Sequence, residues 1–435
     1  MKPSVLFIST AFTGHLNKTT LLAKYYAQKG SEITYLVHSE HSVFKLDVEF
    51  NCIHTTFFPV GIPRKKIAED LNHQPVEFDA DEAFISRRNV LIEVLEKVKP
   101  TLIFLDCFCT NDYLLVYDKL KDIRTIVLEP WLPNMPGEGV PPLHSTRFPH
   151  KFARLEWVWQ SIKLWTEIRY DYHFDSQINV LWLIRKMKKE GLELPAFQLN
   201  ADKKPVFPQL EQWHMYPKEL DFFERKLPEN VRYMGSVVDV HRNQPMASAV
   251  EHFLKIVSNS TGKILIYCTF GTVISTFVSK STLLRFYENL NHIAENHPEW
   301  HILISVSRNV LPHLRPSGMN IMFATMVPQL EILKRATVCI NHGGGGTVLE
   351  CVSAGVPQLC VPAARKVDYC GNSARVSYHK LGLSTNFDVT SEMIESKIHK
   401  LVHDSQYADN ARRFSEMIKA TYGPDYLEHM NLPTA

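Results

Sequence analysis

No apolar run in the chain approaches the roughly 20 residues that a bilayer-spanning helix requires. A charged-then-apolar leader ending in small residues is missing too, and a strand pattern opens almost at the first residue. The eight cysteines lack metal-ligand spacing: Cys107 and Cys109 sit in an apolar run, and Cys339, Cys351 and Cys360 lie in strand and helix patterns. They read as buried thiols of a reducing compartment, so a cytoplasmic location is expected. A formal net charge of +2 argues neither for nor against bulk attraction to nucleic acid. Internal repeats and low-complexity segments are absent. No Gly-x-Gly-x-x-Gly follows the first strand. The run ending at Ile340 has no acidic residue about twenty positions on, with Arg365 and Lys366 nearby instead. Both omissions weigh against a dinucleotide-dependent oxidoreductase.

What remains is a soluble, globular composition, 45% hydrophobic and 22% charged. At 435 residues the chain exceeds what one core holds, so two domains are expected. Val5-Leu6-Phe7-Ile8 is a first strand. A loop over residues 9–15 follows, then a helix with Leu21, Leu22 and Tyr25 at helical spacing, closed by Gly30. Ile33-Thr34-Tyr35-Leu36-Val37, Leu102-Ile103-Phe104-Leu105 and Thr125-Ile126-Val127-Leu128 continue as strands. Ile264-Leu265-Ile266-Tyr267 and His301-Ile302-Leu303-Ile304 do the same in the second half, and residues 391–422 read as two helices. Strands alternating with helices mean parallel sheets covered on both faces, an α/β fold. Ligands of such sheets bind at the carboxyl ends of strands, where His15 and Asp106 both fall.

The most informative stretch is residues 337–362. Thr337-Val338-Cys339-Ile340 is a short strand. His342 and four glycines, Gly343, Gly344, Gly345 and Gly346, come next. A helix pattern follows, with Val348, Leu349 and Val352 on one face, stopped by Gly355 and Pro357. Leu359-Cys360-Val361 resumes the sheet. Glycines let the backbone approach a ligand, and the first N–H groups of a helix have no internal partner. With the positive end of the helix dipole beside them, a phosphate fits. Thr347 adds a hydroxyl donor, and His342 can donate to a phosphate oxygen. Glu350, one turn after Thr347, would repel a phosphate and suits the hydroxyls of a ribose.

His342-Gly343-Gly344-x-x-Thr347-x-x-Glu350, then Gly355-Val356-Pro357, follow Val327-Pro328-Gln329-x-x-Ile332-Leu333. Together they resemble the donor-binding signature of the UDP-glycosyltransferase family, which includes macrolide, plant secondary-metabolite and carotenoid glycosyltransferases. The signature covers residues 326–375. The resemblance implies two facing Rossmann-like domains with parallel sheets, of the GT-B type. Residues 1–215 would bind the acceptor and 236–412 the nucleotide sugar, with 413–435 as a C-terminal helix packing back on the first domain. Thr269-Phe270-Gly271-Thr272 resembles the family's Ser-Phe-Gly-Ser turn, which faces the diphosphate. Gly14-His15 matches the family's Gly-His, and Asp106 its Asp before an aromatic. Three departures stand out. Met326 replaces the Trp that stacks on uracil. Lys366 and Val367 hold the places of an Asp-Gln pair that grips the sugar, and Asp368 and Tyr369, two residues on, are expected to take over. Lys18 stands where the family has Pro. These changes leave room for an unusual donor, including a thymidine-linked deoxysugar.

Residues 148–194 crowd Trp157, Trp159, Trp165, Trp182, Tyr170 and Tyr172 into two long helical patterns, interleaved with Lys163, Arg169, Arg185, Lys186, Lys188 and Lys189. Core-packing helices, the wall of an apolar acceptor cleft and a membrane-surface helix all accommodate that pattern. Single-stranded nucleic acid would too, but nothing else in the sequence supports it. Residues 207–236, with Pro208, Pro217 and Pro228, read as an inter-domain passage.

Moving a sugar to a hydroxyl needs a base, and histidine suits the task. A carboxylate on its far nitrogen fixes the tautomer and supports the imidazolium. His15 is therefore expected to be the base and Asp106 its partner. The leaving diphosphate falls to the glycine turn, His342, Thr347 and the 269–272 loop, so neither a metal nor a cofactor is expected. Asp79-Ala80-Asp81, similar to a manganese-binding signature of other glycosyltransferases, reads as a helix cap. The expected function is inverting, metal-independent transfer from a UDP- or dTDP-linked sugar to a hydroxyl of a hydrophobic small-molecule or lipid acceptor. A sugar-nucleotide epimerase and a non-catalytic sugar-nucleotide-binding protein are the competing readings.

Overall fold

The computed structural model describes residues 2–39, 50–57, 79–170, 180–199, 205–236, 238–242, 244–259, 264–271, 274–325, 327–364, 367–423 and 425–435, without the side chains of 163–170, 181 and 199. The first half runs β1 (Ser4–Thr10), α1 (Thr13–Gln28), β2 (Glu32–His38), β3 (Asn51–Thr55), α2 (Ala80–Val98), β4 (Leu102–Asp106), α3 (Thr110–Leu115), α4 (Tyr117–Leu120) and β5 (Arg124–Glu129). It continues with α5 (Ala153–Tyr170), α6 (Val180–Lys189), β6 (Gln198–Leu199), β7 (Pro205–Val206), β8 (Glu211–His214) and β9 (Val231–Tyr233). Among the described residues its main sheet has the order β3-β2-β1-β4-β5-β8-β9, and every neighbouring pair is parallel.

The second half runs α7 (Ser248–Asn259), β10 (Ile264–Thr269), α8 (Lys280–Asn296), β11 (Trp300–Ser305), β12 (Ile321–Ala324), α9 (Gln329–Leu333), β13 (Val338–Asn341) and α10 (Gly345–Ala354). Then come β14 (Gln358–Cys360), α11 (Tyr369–Tyr378), β15 (Gly382–Ser384), α12 (Ser391–His403), α13 (Ser405–Thr421) and α14 (Tyr426–His429). The described strands form a parallel sheet of order β12-β11-β10-β13-β14-β15. β1 and β4 are buried along their whole length, as strands covered by helices on both faces must be.

Both sheets reverse their winding beside their first strand. β1 lies between β2 and β4, and β10 between β11 and β13. The loops leaving the two central strands therefore part at that point and open a crevice. Register fixes which residues line it: Ile8 lies opposite Leu105, and Thr269 opposite Asn341. His15 and Asp106 thus share one crevice, and the 269–271 turn and His342 share the other.

Several local expectations change. α1 begins at Thr13, so Gly14 and His15 lie in its first turn rather than in a loop. The passage over 207–236 supplies β9, which extends the first sheet. Asp79 caps α2 by accepting from the N–H groups of Asp81 and Glu82, as read. The aromatics of 148–194 divide. On α6, Leu183 and Met187 are buried and Trp182 meets Phe84 edge-on. On α5, Trp157 donates to the Val140 carbonyl, but Phe152, Leu155, Val158, Trp159 and Ile162 are exposed. Tyr172 lies outside the described residues, as do the side chains of Lys163, Trp165, Arg169 and Tyr170. Of the two expected C-terminal helices, α13 packs on α10. The return to the first domain is made by the tail beyond it: Leu427, Met430, Leu432 and Ala435 join the apolar cluster of Leu16, Leu22 and Tyr26, and Tyr26 Oη donates to the Pro433 carbonyl at 2.9 Å.

The two halves share an apolar cluster, with Leu132, Leu143, Tyr216 and Leu220 from one side and Val348, Val352, Val376 and Ile418 from the other. Asp221 lies beside it, fully enclosed. It accepts from Arg375 Nε at 2.9 Å and Nη2 at 2.7 Å, and from Tyr233 Oη at 2.7 Å. Burial alone would raise the Asp221 carboxyl, but the guanidiniums of Arg375 and Arg225 hold it below the usual carboxylate range. Its stabilising contribution is therefore present above the unfolded pKa of about 3.9 and is lost as pH falls through the lower folded value. Arg375→Met leaves this carboxylate under-compensated and is expected to cost roughly 3–5 kcal/mol in urea denaturation. A loss under about 1 kcal/mol, the value of an exposed pair, would show that the junction is held otherwise.

Candidate functional site

His15 reaches the crevice from the first turn of α1. Its Nδ1 lies 2.8 Å from Asp106 Oδ2, at the carboxyl end of β4. The carboxylate is held by further donors: Thr10 Oγ1 at 3.1 Å and Ser9 Oγ at 3.3 Å on Oδ2, and the Phe108 N–H at 2.8 Å on Oδ1. The imidazole stacks on Phe108 at 4.9 Å and meets Phe12 and Trp131 edge-on. Its side chain keeps 14% exposure, so it is not sealed in a core. An acceptor on Nδ1 places the N–H there and leaves Nε2 with its lone pair outward. Gly14 beside it has no heavy atom within 4 Å of where a Cβ would stand, so the protein itself does not need that glycine's space.

The glycine turn lies at the facing end of the second sheet. Gly343 has φ +80°, and a Cβ there would lie 2.5 Å from the Tyr369 carbonyl. The turn is fixed from two sides: the Gly343 N–H donates to Asn341 Oδ1 at 2.8 Å, and Asn372 Nδ2 donates to the Gly343 carbonyl at 2.8 Å. Gly344 caps α10, and the first helical bond is from the Val348 N–H to the Gly344 carbonyl. The amides of Gly345, Gly346 and Thr347 therefore point forward without helical partners. The His342 ring stands between the Gly271 turn and Gly344, edge-on to Tyr369 at 4.7 Å. Burial lowers its pKa to about 4, so it is neutral at physiological pH. Its Nδ1 is buried with no hydrogen-bond partner among the described residues. An unpaired ring nitrogen beside three unpaired amides is a ready anion receptor.

Glu350 sits differently from the expectation of a carboxylate turned to free hydroxyls. Arg242 Nη2 donates to its Oε1 at 3.0 Å, and Gln329 Nε2 donates to Oε2. Gln329 also accepts from Tyr267 Oη at 3.1 Å and reaches Thr347 Oγ1 at 3.4 Å. Glu350, Gln329 and Thr347 are thus one network behind the turn, and a ribose hydroxyl would have to share an oxygen with Arg242. Thr269 is buried at the end of β10, Gly271 turns with φ +72°, and Val327 is half-buried against the core of the second domain. Asp368 stands just ahead of α11 and accepts from Asn372 Nδ2 at 2.7 Å. Burial raises its pKa, partly opposed by Lys18 and, more weakly, by His15, which places both side chains within electrostatic reach of this carboxyl. Tyr369 packs against His342 and Phe277. Thr272 and Met326 lie outside the described residues.

Four further residues that shape the site carry little local signal in the sequence. Asn341 and Asn372 brace the turn, and the only sign of them was polarity at a strand end and one turn after Asp368. Arg242 lies 108 residues from Glu350. Lys18 was noted only as a departure; it is buried where α1 meets α10. Gly343→Ala would force a side chain onto the Tyr369 carbonyl in a left-handed conformation. It is expected to cost about 1–3 kcal/mol in thermal or chemical denaturation and to abolish nucleotide-diphosphate stabilisation. A variant that melts and binds like the parent would show that the turn is not held as described.

Residues 290–427 match the family model described as "Erythromycin biosynthesis protein CIII-like, C-terminal domain". The chain is 30% identical over 132 residues to the oleandomycin glycosyltransferase of Streptomyces antibioticus, covering 29% of this chain and 30% of that one. It is 26% identical over 130 residues to the NDP-glycosyltransferase YjiC of Bacillus subtilis (strain 168), covering 29% and 32%. The matched stretch spans about a third of these relatives' own length. The solved structure of the kitacinnamycin glycotransferase superposes with a TM-score of 0.64 at 16% identity, over 96% of this chain and 95% of that one. The residues that the family model matches contain the glycine turn, and the superposition extends the shared fold to both domains. Residues 290–427 are thus similar to the C-terminal domain of natural-product glycosyltransferases, and the chain as a whole has the two-domain GT-B fold.

Proposed function

We propose that the chain transfers a sugar from a nucleotide diphosphate to a hydroxyl of a hydrophobic acceptor, with inversion and without a metal. One observation carries the reading: a carboxylate-oriented imidazole at the end of one sheet lies across the domain junction from unpaired amides at the end of the other. In this reading His15 Nε2 takes the acceptor's proton as its oxygen bonds the anomeric carbon. The bond from that carbon to the β-phosphate oxygen breaks, and the electron pair leaves with the diphosphate. Asp106 supports the imidazolium, while His342 and the Gly345–Thr347 amides hold the leaving group. The Thr269–Gly271 turn supports the diphosphate from the adjacent strand. Asp368 and Tyr369 are suited to the sugar.

UDP-glucose or a similar donor and a dTDP-linked deoxysugar are both compatible with the site. The oleandomycin relative supports a natural-product acceptor. The exposed apolar face of α5, flanked by Lys151 and Arg154, also supports peripheral contact with an anionic lipid surface.

His15→Ala is expected to lower turnover by roughly 10²–10⁴-fold while leaving nucleotide binding nearly intact. Release of free nucleotide diphosphate with and without acceptor checks this, and turnover retained in the variant refutes the assignment. Release without acceptor would favour an epimerase. EDTA is expected to leave the rate unchanged; reversible loss would require a metal. In co-sedimentation, vesicles with anionic headgroups should retain the protein. Trp159→Glu should release it, and equal retention of both would place lipid contact elsewhere.

A further inference from the structure

Lys18 lies one turn beyond His15 on α1, on the same face. Its Nζ is buried, donates to the Pro130 carbonyl and stands 4.2 Å over the Tyr216 ring. A Cβ placed on Gly345 would come within 3.1 Å of that Nζ and 2.0 Å of Tyr216 Oη. The ammonium of the first domain therefore points at the first amide of α10 in the second. An ammonium has three N–H donors, and the Pro130 carbonyl is the only acceptor found for them among the described residues. A buried amine with unused donors, facing the positive end of a helix dipole and offset only in part by Asp368 and Glu350, is suited to an anion placed between amine and helix.

We propose that Lys18 binds the donor's β-phosphate from the first domain, so that the diphosphate is gripped between this ammonium and the α10 amides. The proposal rests on the glycosyltransferase reading above and adds to it a cation where the family pattern has proline. As the anomeric bond breaks, charge grows on the β-phosphate oxygen, and a fixed ammonium stabilises it where the chain offers no other free cation among the residues argued for the site. Because Lys18 and the glycine turn sit on different domains, the diphosphate would bridge the two, with His15 on the same face of α1 as Lys18.

Ionisation gives the proposal a signature. Burial lowers the Lys18 pKa to about 7, against the raising influence of Asp368, Glu350 and Cys107. The other titratable groups around it are His15 and Asp106, which share its crevice, and the Tyr216 phenol. Near pH 8, about one unit above that pKa, the amine of the free protein is mostly neutral. A diphosphate beside it restores the charged form, so binding should take up a proton.

Titration calorimetry of UDP and dTDP into the full chain, at about pH 8 in buffers of different ionisation enthalpy, tests this. Proton uptake should approach one per bound diphosphate. Lys18→Met, which removes a buried cation and is expected to melt no lower than the parent, should bind at least about tenfold more weakly and take up none. Lys18→Arg, charged at every accessible pH, should retain binding without uptake. UMP and dTMP should bind parent and Lys18→Met alike. Diphosphate binding without uptake by the parent, or with undiminished affinity by Lys18→Met, overturns the proposal. If the parent binds neither diphosphate, the glycosyltransferase reading itself fails.

Discussion

The arrangement depends on one buried carboxylate. Asp221 follows β8 of the first domain, yet its strongest partner is Arg375, on a helix of the second domain. Enclosed from water, that pair is costly to separate, and it sits beside the apolar cluster the domains share. The same helix carries Tyr369 and Asn372 in its first turn, where they pack on His342 and brace the glycine turn. The Gly371 N–H also donates to the Leu143 carbonyl of the first domain at 2.6 Å. One helix therefore sets both the shape of the anion receptor and its distance from the imidazole opposite.

The electrostatics of the two sides are complementary. Asp106 is surrounded by donors, and its contact with Nδ1 fixes the tautomer of the His15 imidazole. Across the junction the polarity is reversed: forward-pointing amides offer donors beside a neutral, buried His342 whose ring carries one N–H. Lys18 belongs in sequence to the first side and by its placement to the second. Arg242 holds Glu350 behind the glycine turn.

Much of this was legible from residue order, for identifiable reasons. Parallel strands buried on both faces leave unbroken β-branched runs, and their carboxyl ends locate a crevice without any coordinates. His15, Asp106 and the turn after Ile340 were all found that way. Interactions between distant residues left no such trace. Arg242 with Glu350 and Arg375 with Asp221 are 108 and 154 residues apart, and nothing local marks either pair. The α5 stripe was ambiguous for another reason: a 3.6-residue period reads the same whether the apolar side meets a core or solvent. The start of α1 was missed because Thr-Gly-His is a poor helix opening by propensity. Contact of α1 with the second domain outweighs that weakness.

The chain passes between domains twice, once after Tyr233 and once between α13 and α14. Those two passages touch. Gly235, with φ +80°, lies against the ring of Tyr422 so closely that a methyl group on it would come within 2.3 Å of two ring carbons, and Tyr426 closes over the same spot. Attachments that coincide make a pivot, whereas attachments set far apart would make a rigid brace. Rotation about that spot would leave the covalent joints nearly still and carry the opposing walls of the crevice through the widest arc, like the jaws of a pair of tongs.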